Sequence, residues 1–188
     1  MAVTVTPETF TMVKFEMRDI LAVAEQLVEV VGLAPDVDVL VEVDERVPLG
    51  RCELASIDPV VVQVEGGALE DPKRPLHLSK DRVADSVGRL LFQARDRLDA
   101  AFGPVPPADS LSLALANAWD VYGTGRLVAA GYPSQRQRWL YAFRNRHGFT
   151  DVADDAFEQL WHPAAPLTWA DIARISATAE AARDSAAV

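Results

Sequence analysis

The sequence predicts an α+β fold: an N-terminal helix and a three-stranded antiparallel meander, followed by about five helices. Two observations carry this. Apolar residues change to a period of two between 37 and 65, in three short Val-rich runs, and nearly everything after Ser79 repeats at helical spacing. The length of 188 residues suits a single α+β domain over 1–188. A sub-boundary near 103–108 would divide a helix/sheet part (1–103) from a helical part (104–188).

Taken in order, Thr9 to Phe15 alternates weakly, as a short strand would. From Asp19 to Val31, Ile20, Val23, Ala24, Leu27, Val28 and Val31 keep helical spacing, and Gly32-Leu33 with Pro35 supplies the stop. VDVLVEVDE (37–45), RCELASI (51–57) and VVVQVE (60–65) then read as the meander, joined at Pro48-Leu49-Gly50 and Asp58-Pro59. GGALEDPKRPLHL (66–78) reads as a loop because of Gly67, Pro72 and Pro75. Ser79 caps a helix reaching about Phe102, with Leu78 and Val83 as a hydrophobic staple. Asp109 caps the next helix, to about Ala130, whose weak spot is Gly123-Thr124-Gly125, read as a kink or a close helix contact. Ser134 and Gln137 form a capping box for a helix that Gly148 closes. A short helix spans Asp151 to Trp161, and Thr168 with Asp171 opens the last one.

Composition sets the class. Hydrophobic residues make up 49% and charged residues 24%, as in ordinary soluble globular proteins. A single cysteine, Cys52, rules out an internal disulfide framework and suits a reducing, cytoplasmic location. The first residues lack both a basic and a continuous apolar region, so no signal peptide is expected. No apolar run approaches the roughly 20 residues of a membrane span, and no membrane partner is expected. Three lysines against fifteen arginines, with abundant Ala and Val, suit a GC-rich bacterial coding sequence.

The net charge of -10 lies wholly in residues 1–70, which hold fourteen acids and four bases; residues 71–188 hold fourteen of each. Such acidity argues against general nucleic-acid binding.

Chemical motifs are sparse. His77, His147 and His162 belong to no metal-ligand pattern, so no metal or other cofactor is expected. Cys52 falls on the strand face it shares with Leu54, where a buried small side chain fits better than a nucleophile. The order helix, three strands, long helix is loosely similar to the core of zincin-like metallopeptidases. In that family the long helix carries HExxH. The helix from Ser79 to Phe102 has no histidine, so the resemblance implies a metal-free relative without peptidase activity and contributes no site residues. Asp151, Asp154, Asp155 and Glu158 share one helix face, where acids complement the helix dipole and solvate the surface.

The most unusual stretch is SQRQRWLYAFRNRHGF (134–149), with four arginines, a histidine and four aromatic residues in an acidic chain. On a helical wheel Trp139, Leu140 and Phe143 form its apolar face, with Arg138, Tyr141, Arg144 and Asn145 turned to solvent. Arg136 and His147 fall on the apolar side. In the preceding helix Arg126 falls among Trp119, Tyr122 and Ala129. Core-facing cations need partners. An acid from the N-terminal region would neutralise them. Otherwise Arg126 and Arg136 would grip a carboxylate or phosphate in a pocket lined by Tyr122, Tyr132 and His147. The function expected is therefore a binding or protein-interaction module, in one form a homo-oligomer in which basic and acidic surfaces meet. The alternative is a small-molecule anion-binding protein or enzyme built on the Arg/His pocket. No reaction is assigned.

Overall fold

The computed structural model describes residues 2–186. It is α+β, with six helices and a small mixed sheet. The chain forms two compact units, Met1–Leu98 and Asp99–Val188.

In the first unit a short strand β1 (Val3–Thr6) precedes helix α1 (Met17–Val31) and strands β2 (Val39–Asp44), β3 (Cys52–Ile57) and β4 (Val60–Glu65). A small hairpin of β5 (Glu70–Asp71) and β6 (Arg74–Leu78) leads into α2 (Lys80–Leu98). Helix α1 buries the apolar stripe its spacing predicts, from Ile20 to Val31. It ends at Gly32, whose φ of 73° is open to glycine at no steric cost and lets its N–H reach back to the Val28 and Glu29 carbonyls. Ser79 Oγ accepts the Arg82 amide at 3.3 Å, as a cap for α2 should. The helix stops at Leu98 rather than running on to Phe102.

The sheet departs from the expected antiparallel meander. Its order is β1-β2-β4-β3, with β1 and β4 both parallel to β2 and only β3 antiparallel to its neighbour β4. The Val alternation itself holds: Val39, Val41 and Val43 of β2 and Val60, Val62 and Val64 of β4 are all buried. Period two fixes which side chains share a face but is the same for parallel and antiparallel neighbours. The seven residues Glu45–Arg51 between β2 and β3 easily span the roughly 10 Å of two strand spacings. β3 can therefore skip a position, and β4 returns between it and β2. The outer strand is Val3–Thr6; Thr9–Phe15 is irregular, with one bridge from Lys14 to His77.

One further expectation, that 66–78 is a loop, is corrected here. The stretch 66–78 contains a 3-10 turn (Gly66–Ala68) and the β5–β6 hairpin. Pro75 is tolerated because it has no partner in this ladder, which pairs Glu70 with Leu78 and Asp71 with Arg74 and shifts register between them. Helices α1 and α2 pack on each other and on one face of the sheet, giving two layers.

The second unit is helical: α3 (Leu113–Ala129), α4 (Arg136–His147), α5 (Asp151–Trp161) and α6 (Trp169–Ala186). Its core joins Phe102, Trp119, Tyr122, Phe143, Phe157, Trp161, Trp169 and Ile172. The Thr168/Asp171 box forms as predicted, with Thr168 Oγ1 donating to Asp171 Oδ2 at 2.7 Å. Two predicted caps do not. Asp109 lies in a 3-10 turn, and the α3 cap is Ser112, whose Oγ accepts the Leu115 amide at 3.1 Å. Ser134 instead accepts the Trp139 indole N–H at 3.1 Å, so α4 starts after Gln135 without a side-chain cap. The glycines of α3 do mark a close helix contact: Gly125 lies against the Trp161 backbone of α5.

Candidate functional site

The residues of the expected Arg/His pocket, Tyr122, Arg126, Tyr132, Arg136 and His147, all fall in the second unit. Arg126 lies over the Tyr122 ring, 4.1 Å from its centroid. The Tyr122 hydroxyl accepts the Leu167 amide at 3.0 Å. Tyr132 is half-buried just past the end of α3. Arg136 and His147 leave α4 toward different neighbours.

Arg136 pairs with Glu158 of α5 and lies over the Phe157 ring, 5.3 Å from its centroid. This corrects two expectations. The neutralising acid comes from the adjacent helix rather than the N-terminal region, and Arg136 is not in the core, since its side chain is 42% exposed. A wheel places a side chain by its Cβ, whereas the long arginine stem crosses the apolar rim and leaves its head in water. One helical turn pair further on, Arg144 Nε donates to Asp154 Oδ1 at 2.7 Å. That guanidinium holds the Asp154 carboxyl below the usual carboxylate range. The acidic face of α5 and two arginines of α4 thus neutralise each other, which accounts for half of the basic charge on this helix.

His147 is fully buried, with its ring stacked on Phe143 at 3.8 Å between centroids. Its Nε2 lies 2.9 Å from Ser176 Oγ of α6. Burial pushes its pKa below the ordinary histidine value. No substrate can reach either the imidazole or the hydroxyl, so this pair is not a nucleophile and its base.

What remains open on α4 is its outer face. Tyr141 is 60% exposed and Phe149, just beyond the helix, is 65% exposed, and their rings meet edge to face at 6.0 Å. Arg138, one turn before Tyr141, and Asn145, one turn after, lie on the same face and are exposed. Among the described residues neither Arg138 nor Arg146 has an ion-pair partner. Sequence reasoning found Tyr141 but missed Phe149, because a residue after a helix stop has no periodicity to place it.

The first unit offers the opposite surface. With both helices on one face of the sheet, the other face is open. Register aligns Thr6, Glu42, Gln63 and Glu53 in a row across all four strands, with Asp44 and Glu65 in the next row. On the other side of that row, Leu40 and Val61 lie side by side and half-buried. The carboxyl ends of the parallel strands enclose a hollow of about 600 Å³, lined in part by Glu42, Asp44, Glu45, Glu53 and Glu65. Arg46 neutralises Asp44 at 2.9 Å and Arg51 neutralises Glu53 at 2.6 Å. Glu42 accepts from Gln63 Nε2 at 2.9 Å, and Glu65 from the Arg51 backbone at 2.9 Å. Neither Glu42 nor Glu65 has a cationic partner among the described residues.

Glu45 stands apart as a structural group. Its carboxylate takes the backbone N–H groups of Thr11 at 2.8 Å and Met12 at 2.6 Å, which fixes the preceding loop. Those bonds, that of Met12 foremost, hold its carboxyl below the usual range.

Cys52 turns toward α2, where Arg89 Nη2 donates to its Sγ at 3.1 Å. Among the described residues no three His, Cys, Asp or Glu side chains group as metal ligands, and no helix is long and apolar enough to cross a membrane. No family model, no curated protein and no solved structure matches this chain.

Proposed function

We propose that this chain is a protein-interaction module that self-associates, the Tyr141–Phe149 face of one copy docking on the open, acidic sheet face of another. The observation that carries the reading is the pair of aromatic rings, each more than half exposed and clasped outside the core. Large aromatics and arginine are the residues that dominate binding energy at interfaces. The charges agree. Arg138, one turn before Tyr141, and Arg146, near the end of the same helix, are exposed without acidic partners, and Glu42 and Glu65 lie on the sheet face that also carries Leu40 and Val61, without basic ones.

The strength follows from area. Covering the exposed part of each ring removes on the order of 100 Å² from water, or about 2.5 kcal/mol per ring. The entropy of association consumes much of that sum, so the contact is weak, concentration-dependent and sensitive to salt. Because the two surfaces differ, the contact is heterologous, and each copy offers one surface of each kind.

Mixing complementary variants tests this directly. Sedimentation velocity at low salt should show the wild-type mass rising with concentration and falling when salt is added. Tyr141→Ser/Phe149→Ser and Glu42→Lys/Glu65→Lys should each stay monomeric alone. Combined, they should form a two-chain complex that grows no further, since each keeps one intact surface. A wild type that stays monomeric at submillimolar concentration, or a mixture that stays monomeric when the wild type assembles, would overturn the proposal.

A further inference from the structure

The buried histidine and the helix it faces carry a second device, independent of the docking surfaces. His147 is fully buried and Ser176 is 1% exposed. The imidazole Nδ1 lies 3.2 Å from the Phe143 carbonyl oxygen and Nε2 lies 2.9 Å from Ser176 Oγ. Ser176 Oγ lies in turn 3.2 Å from Glu180 Oε1, one turn along α6.

Counting protons gives the states of this chain. A carbonyl oxygen can only accept, so Nδ1 must carry a hydrogen. In the neutral ring Nε2 is then a lone pair, and the Ser176 hydroxyl must spend its single hydrogen on it. Glu180, which is only half-buried, is left to solvent. When the ring takes a second proton, that proton sits on Nε2 and points at Ser176 Oγ. The hydroxyl must then turn and donate to Glu180. The result is an unbroken series of imidazolium to hydroxyl to carboxylate, with the charge balanced through one intervening group.

We propose that His147, Ser176 and Glu180 form a proton-responsive latch between α4 and α6, in which the Ser176 hydroxyl reverses on acidification and Glu180 becomes the counter-ion that lets unit 99–188 hold a charged imidazole. The surrounding charges leave Glu180 in that role. On α6, Glu180 favours the second proton and Arg183 opposes it. Arg183 is itself held by the Arg146 carbonyl at 2.7 Å and by Asp184. Arg144 of α4 and Asp154 of α5 neutralise each other.

Two measurements on the full chain test the latch. Nitrogen-15 NMR of the histidine rings at pH about 8, well above the ordinary value of about 6.5, should show His147 with its hydrogen on Nδ1, the less common tautomer in water. The Nε2–H form would overturn the proton assignment on which the latch rests. Melting temperature is then followed against pH for the wild type, Glu180→Gln and Asp155→Asn. Asp155 is exposed on α5 of the same unit, so Asp155→Asn controls for net charge without touching the Arg183–Asp184 pair. Glu180→Gln should match the wild type at high pH and fall away at higher pH than both others as acid is added. Equal acid sensitivity of Glu180→Gln and Asp155→Asn would overturn the counter-ion role.

Discussion

Replacing Gly125 with alanine should destabilise the helical unit, although alanine is the better helix former. The substitution gains about 0.8–1 kcal/mol of intrinsic helix propensity. Against this, a Cβ at position 125 would drive into the carbonyl oxygen of Trp161 and stand 2.9 Å from both its carbonyl carbon and its Cα. These are backbone atoms of α5, so no side-chain rotation relieves the overlap and two packed helices must separate. Overpacking of this kind costs roughly 1–3 kcal/mol and occasionally more, and an obstacle made of backbone belongs at the upper end. The net loss expected is about 1–2 kcal/mol after the propensity gain. For the ninety residues 99–188, that lowers the midpoint by roughly 5–15 °C. Thermal unfolding followed by near-ultraviolet circular dichroism reads it, since all four tryptophans lie in this unit. Gly50→Ala is the matched control, because nothing lies within 4 Å of a Cβ built there and its backbone is unstrained. A Gly125→Ala variant melting at or above the wild type would refute the close-approach argument.

The remaining expectations are smaller. Arg136→Met should cost less than about 1 kcal/mol, since its pair with Glu158 is nearly half exposed and solvent weakens it; a loss of several kcal/mol on chemical denaturation would mean that the pair is effectively buried. The depressed His147 pKa makes the unfolded chain bind more protons than the folded one, so its contribution to stability is intact above the unfolded value of about 6.5 and declines as pH falls toward the folded value; His147→Phe should flatten that part of the stability–pH curve. Glu45 has the same sign at lower pH. Its bonds to the 11–12 amides are present above the unfolded carboxylate range and lost as pH falls through the lowered folded value, which amide exchange at Thr11 and Met12 measures directly, with Glu45→Gln losing the protection at neutral pH. Chelators should leave the melt unchanged, because no ligand-competent group is present among the described residues; a fall in midpoint on chelation would contradict this.

Where local chemistry decides, the sequence was readable. The Ile20–Val31 stripe, the Gly32 stop, the Asp151–Trp161 helix and the Thr168/Asp171 box each depend on neighbours within a few positions, and all are present. The errors arise where a distant partner decides. Valine alternation in β2 and β4 says nothing about strand direction, and Ser134 forms a bond to the Trp139 indole that competes with its capping role. The same limit applies to the candidate site. Arg136 was visible as a cation needing an acid, but any of several acids could have served, and the choice of Glu158 rests on how α4 and α5 pack. Nothing at position 147 announces that Ser176 will meet it from 29 residues away, with Glu180 behind that hydroxyl.

The parallel pairing of β1 with β2 has a kinetic consequence. Val3 pairs with Val39 and Thr6 with Glu42, so this ladder closes a segment of 36 residues, whereas β3 and β4 are joined through the short Asp58-Pro59 connection. Contacts far apart in sequence form late, because loop closure costs entropy before any pairing repays it. During synthesis β1 leaves the ribosome before β2 and must wait for it to emerge, and it is added as an edge to a sheet whose local hairpin can form without it. Until the Val3–Thr6 strand docks, one side of β2 stays open to pairing with another chain.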